Sequence, residues 1–173
     1  MNILLLYGST EGHTRKIAEY CENYLVNNGH TVEVRKSKQR SSDLDIANFD
    51  GVILAGSVHQ KRHQETLENF VFAHREQLKK LPTLLISVSL SIAFENGKEE
   101  ASRYVELLIE NTKFKPDCVA LVGGALKFEM YGYYMSHIVE HVVLKDREKI
   151  SEDREFTDWD DLRLKLDAFT AGM

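Results

Sequence analysis

The sequence predicts an α/β fold: a doubly wound five-stranded parallel sheet in the order 2-1-3-4-5, with a long insertion after or within strand 5. Three observations predict it. Across residues 2–123, apolar runs alternate with stretches of helical spacing. Several of those runs are apolar throughout, as strands covered on both faces must be. After the fifth run the alternation breaks, and a long segment intervenes before one last helix. Parallel strands joined by helices cross over right-handed, and in this order the switch point falls beside strand 1. A ligand is therefore expected across the carboxyl ends of strands 1, 3 and 4.

The first strand is Asn2-Ile-Leu-Leu-Leu-Tyr7. The helix over 14–28 follows, with Ile17, Ala18, Cys21, Tyr24 and Leu25 on one face and Asn28-Gly29 as its stop. Strand 2 covers 31–35. Arg35-Lys-Ser-Lys-Gln-Arg40 reads as an exposed loop, because no dinucleotide fingerprint precedes it, and a short turn follows near 43–48. Strand 3 covers 51–56. The next helix, over 63–81, buries Leu67, Phe70, Val71, His74 and Leu78 and ends at Leu81-Pro82. Strand 4 (83–89), a helix over 97–111 and strand 5 (118–123) complete the repeat, with Pro82 and Pro116 each standing just before a strand.

Residues 124–158 form the insertion. It opens with Gly124-Ala-Leu-Lys-Phe-Glu-Met-Tyr-Gly-Tyr-Tyr-Met135 and ends in a charged stretch over 145–154. Tyr131, Tyr134, Met135, Ile138, Val142 and Val143 fall on one helical stripe, expected to pack against the domain. Phe156-Thr-Asp-Trp159 then leads into a helix from about residue 160 to 170, with Asp158 as its cap. An insertion of this length in a compact domain is expected to be functional. Residues 1–173 read as one domain.

Of the 173 residues, 43% are hydrophobic and 28% charged, which is the range of globular chains. The net charge of −5 argues against a general nucleic-acid binder. No apolar run is long enough to span a bilayer, and Met1 leads directly into a strand instead of a leader peptide, so a cytoplasmic protein is expected. Cys21 and Cys118 have no C-x-x-C partner and read as small buried residues. His137 and His141 are four apart, as helical metal ligands are, but no third ligand accompanies them and no metal is expected.

The chemistry begins where strand 1 ends. Gly8-Ser9-Thr10-Glu11-Gly12-His13-Thr14 offers successive backbone N–H groups, three hydroxyls and the positive end of the following helix to one phosphate. Gly12 lets the backbone come close. The loop lacks the lysine of G-x-x-x-x-G-K-[ST], and G-x-G-x-x-G is absent too, so a phosphomonoester is favoured over a triphosphate or dinucleotide. Glu11 is expected to point outward, away from the anion. Two more loops follow strands at the same edge: Ser57-Val58-His59-Gln60 and Ser87-Val88-Ser89-Leu90-Ser91.

The first loop resembles the S-T-x-G-x-T phosphate loop of flavodoxin-like FMN proteins. The resemblance implies FMN as cofactor, held through Ser9, Thr10, Glu11, Gly12, His13 and Thr14. It places Ser57, Val58, His59 and Gln60 on one side of the isoalloxazine and Ser89, Leu90 and Ser91 on the other. His59 stands where that family commonly brings Tyr or Trp.

The phosphate loop, Ala55-Gly56-Ser57, Ser87-Val88-Ser89-Leu90, Gly124-Ala-Leu-Lys-Phe128 and Phe156-Thr-Asp-Trp159 together resemble the menaquinone-dependent protoporphyrinogen oxidase family, a long-insert branch of the flavodoxin-like proteins. That resemblance covers nearly the whole chain. It implies oxidation of protoporphyrinogen IX, or another small reduced substrate, with a quinone as acceptor. It further implies peripheral contact with the inner face of the cell membrane, and no side chain acting as nucleophile or metal ligand. Two features depart from that family's pattern: residues 128–144 carry no Lys or Arg, and the loop after Ser57 lacks an aromatic-Gly pair. A flavodoxin-type electron carrier and an FMN-dependent quinone reductase stand as alternatives, and self-association is left open.

Overall fold

The strand Ile3-Leu-Leu-Leu6 shows how the sheet is covered. Successive strand side chains point to opposite faces. Ile3 and Leu5 therefore enter one core and Leu4 and Leu6 the other, all four at 2% exposure or less. A computed structural model describes residues 1–38, 44–94, 96–126 and 153–172. In chain order its elements are β1 (Asn2–Gly8), α1 (His13–Asn27), β2 (Thr31–Lys36), β3 (Gly51–His59), β4 (Arg62–His63), α2 (Glu65–Leu78), β5 (Thr83–Ser89), α3 (Gly97–Thr112), β6 (Cys118–Gly123), β7 (Ala125–Leu126), β8 (Arg154–Glu155) and α4 (Trp159–Ala171). Short 3-10 turns occupy Ile46–Asn48 and Leu90–Ala93.

The parallel strands lie in the order β2-β1-β3-β5-β6, which is the predicted order 2-1-3-4-5. On one face α1 and α4 bring Ile17, Ala18, Cys21, Leu25, Leu162, Leu166 and Phe169 against the sheet. On the other, α2 and α3 bring Leu67, Phe70, Val71, Leu78, Val105 and Leu108. Each Leu, Ile, Val or Phe among them, fully buried, contributes about 1.5–3 kcal/mol. Asp158 caps α4 as expected, accepting from the N–H groups of Asp160 and Asp161.

Four expectations are corrected. β3 runs on through Ser57, Val58 and His59 and turns back into β4, so His63 is a buried strand residue and α2 starts only at Glu65. Gln60 and Lys61 close the two-residue hairpin with φ of 49° and 66°. Such turns usually take Asn-Gly, so nothing in the sequence marks this one. Cys118 is exposed, not buried, because β6 is the outer strand and its burial begins at Ala120. β2 ends at Lys36, one residue beyond the expected 31–35, so Lys36 lies in the strand instead of in a loop. The apolar stripe from Tyr131 to Val143 and the pair His137 and His141 lie outside the described residues.

Candidate functional site

Register brings the three loops to one edge. Gly8 pairs with Gly56, and Gly56 with Ser87, so β1, β3 and β5 present their carboxyl ends side by side. The 9–14 turn leaves from β1, the hairpin carrying His59 and Gln60 projects from β3, and Ser89, Leu90 and Ser91 leave from β5.

The turn after β1 is held by Ser9, whose Oγ accepts the Gly12 N–H at 3.0 Å. Gly12 has φ 93°, and a Cβ there would be strained whatever the space around it. Gly12 is also the N-cap of α1, so no side chain caps that helix, and no acidic residue lies in its first turn. Among the described helices this is unusual: α2 and α3 have acids in the first turn, and α4 has both a cap and acids. An uncapped, acid-free helix start keeps its amides and its dipole available to an anion. Thr10 is exposed, Thr14 is buried at 1% exposure, and Glu11 is half-buried.

His13 belongs to this turn by sequence, yet its imidazole serves another purpose. Nε2 lies 2.7 Å from Thr157 Oγ1, and Thr157 Oγ1 donates its only proton to Gly123 O at 2.7 Å. His13 must therefore donate from Nε2. Its Nδ1 then faces Glu155 Oε2 at 4.0 Å, and the same carboxylate takes Lys16 Nζ at 2.6 Å and Trp159 Nε1 at 2.9 Å. Burial lowers the His13 pKa, against the pull of Glu155. Burial would raise that of Glu155, but the Lys16 and Trp159 bonds lower it. The segment closing the insertion is thus fastened to the first turn of α1. Gly123 admits it: a Cβ there would sit 2.1 Å from Phe156 O. The Phe156 ring in turn lies 6.5 Å from Phe94, beside the third loop.

In the second loop Ser57, Val58 and His59 are half-buried and Gln60 exposed. Arg62 anchors the hairpin by a salt bridge to Glu68 of α2. Beneath it His63 Nε2 lies 2.9 Å from Ser87 Oγ, and burial pushes its pKa down to about 4. In the third loop Ser89 Oγ accepts the Ser91 N–H, and Ser91 Oγ lies 3.2 Å from Tyr104 Oη. Those two hydroxyls brace the turn itself, with Leu90 half-buried between them.

Sequence reasoning missed Gln64. It stands at the N-cap of α2, but its side chain makes no capping bond. Its Nε2 instead reaches Thr10 Oγ1 of the first loop and Ser57 Oγ of the second, the latter at 3.0 Å. Its Oε1 is buried without a partner, over Gly8. Only the gap in sequence between Gln64 and Thr10 hid it.

Among the described residues no group of three metal-binding side chains occurs, and no helix is long and apolar enough to cross a membrane.

A family described as flavodoxin domain matches residues 4–153. Among curated proteins the chain is similar to protoporphyrinogen IX dehydrogenase (quinone) of Escherichia coli (strain K12), 24% identical over 92% of this chain and 90% of that one. The protein of the same name from Leishmania major is 22% identical over 97% of this chain and 74% of its own. Among solved structures, Streptococcus pneumonia TIGR4 flavodoxin aligns over 99% of this chain and 96% of its own, with TM-score 0.53 and 13% identity. Two-electron reduced Megasphaera elsdenii flavodoxin aligns over 68% of this chain and 83% of its own, with TM-score 0.54 and 18% identity. Both share the fold.

Proposed function

The chain belongs to the flavodoxin domain family, and from that premise we propose that it binds FMN and oxidises protoporphyrinogen IX, passing the electrons to a quinone. The observation that carries the reading is the uncapped, acid-free start of α1, set by the register of β1 beside the other two loops. A terminal phosphate fits there. The first-turn amides have no side-chain cap, Gly12 leaves open space around its Cα, and the Ser9 and Thr10 hydroxyls stand in the same turn. When bound, FMN supplies a ring that accepts electrons from one partner and yields them to another. The chain's own task is to hold the phosphate, frame the ring between two loops and fasten the returning segment at Glu155 and Thr157 to the first turn of α1.

The dehydrogenase relatives, aligned along most of both chains, support the porphyrinogen and quinone assignment. In this reading the protein works in the cytoplasm and meets its quinone at the inner face of the membrane. A flavodoxin-type carrier or an FMN-dependent quinone reductase would use the same cradle, so the experiment must separate them. Purified protein is expected to be yellow and to release FMN on denaturation. Mixed anaerobically with protoporphyrinogen IX and a menaquinone analogue, it is expected to generate porphyrin fluorescence as quinone is reduced. A colourless protein without affinity for FMN sinks the flavin reading. A yellow protein inert toward porphyrinogen, but reduced and reoxidised by protein partners, leaves the carrier.

A further inference from the structure

Gln64 makes an unusual choice of bonds. At the start of a helix its side chain ignores the local amides and spans two loops of the cleft edge. A primary amide nitrogen has two hydrogens, and both are used, one on Thr10 Oγ1 and one on Ser57 Oγ. A hydroxyl that accepts in this way keeps its single proton to give elsewhere. Thr10 and Ser57 are thereby both turned into donors, away from Gln64. The arrangement leaves Gln64 Oε1 buried without a partner, a cost of about 1–3 kcal/mol. Gly8 makes the position accessible, since a Cβ there would stand 2.5 Å from Oε1.

We propose that Gln64 is a positioning residue for phosphomonoester recognition: it ties the loop after β1 to the loop after β3 and sets the Thr10 hydroxyl as a donor toward the bound anion. The inference rests on the flavin reading above and deepens it. Gln64 acts through Thr10 and touches no reacting atom. A glutamine flipped by half a turn, or a glutamate, would accept from both hydroxyls and consume the Thr10 proton the anion needs. Glutamate adds a negative charge beside the phosphate as well.

The test compares FMN with riboflavin, which has the same ring and no phosphate, by fluorescence titration of the full chain. In Gln64→Glu, FMN affinity is expected to fall by at least about tenfold, the equivalent of one hydrogen bond to a charged group, while riboflavin affinity changes by no more than about twofold. Gln64→Leu, which removes the tie without adding charge, is expected to lose FMN affinity in the same selective way but less. Equal losses for both ligands would mean a merely structural role and overturn the proposal, as would unchanged FMN affinity in either variant. A parent protein that binds neither ligand overturns the flavin reading and this inference with it. A parent that binds FMN no better than riboflavin overturns the assignment of this loop to the phosphate.

Discussion

His13 donates its Nε2 proton to Thr157, joining a residue of the phosphate turn to the segment that returns from the insertion. Thr157 passes its own proton to Gly123 at the end of β6, so a single hydroxyl links α1, the closing segment and the outer strand. Thr157→Val keeps the shape and removes both bonds. It is expected to lower unfolding free energy by about 1–3 kcal/mol in urea titrations, whereas Thr157→Ser stays near the parent. A Val variant as stable as the parent would show that the hydroxyl adds nothing to the β7–β8 pairing and the Lys16, Glu155 and Trp159 contacts that also hold the closing segment.

Replacing Thr10 and Thr14 together by Val removes two hydroxyls from the turn with little change of volume. If both donate to the phosphate, at about 1.5–3 kcal/mol each, FMN affinity falls by orders of magnitude. Thr14 is buried, so calorimetry of the free protein must accompany the titration to separate folding from binding. An unchanged dissociation constant places the phosphate elsewhere.

His59 ends β3 beyond the sheet edge. His59→Trp is expected to tighten FMN severalfold, since an aromatic stack contributes about 0.5–1.5 kcal/mol beyond area burial. Weaker or unaltered binding in titration would argue that the hairpin does not meet the ring.

The buried His63 sets a pH dependence of stability. Its pKa in the fold is about 4, below the ordinary value of 6.5. The unfolded chain therefore binds the proton more readily between those values. The stability associated with neutral His63 is complete above pH 6.5 and declines as pH falls toward 4, by a total of about 3 kcal/mol. His63→Gln is expected to be less acid-sensitive across that window, as read from urea midpoints at successive pH values. Parallel pH profiles for parent and variant would contradict it.

Replacing residues 130–149 by a short Gly/Ser linker leaves all three loops intact. FMN is expected to remain bound and reduction by a small artificial donor to persist, while porphyrinogen turnover with quinone collapses. Turnover at the parental rate would make the insertion dispensable for substrate.

The strands were legible because their burial is extreme. Runs such as Leu84-Leu-Ile86, at 0% exposure, can only lie between two layers of helices. The start of the cradle was legible for a similar reason: Gly12, followed by a helix without acids, is a local pattern. What escaped is what depends on distant partners. Gln64 is defined by Thr10, His13 is diverted by Thr157, and His63 seeks Ser87. The hairpin between His59 and Arg62 escaped because Gln60 and Lys61 adopt a backbone that their side chains disfavour.

The last helix also bears on how the chain comes to fold. Leu162, Leu166 and Phe169 complete the core shared with Ile17, Ala18 and Cys21. On the ribosome, α1 must therefore wait with an unfinished apolar side until the C-terminal segment emerges. A lengthy insertion prolongs that wait, although its thermodynamic burden is slight, because doubling a loop adds only about 0.6 kcal/mol of closure entropy. The hazard is kinetic: nascent chains with that side uncovered are open to self-association and to chaperones. Chains truncated before Trp159 are accordingly expected to accumulate as aggregates, even though every strand of the parallel sheet and every loop of the cradle is already present.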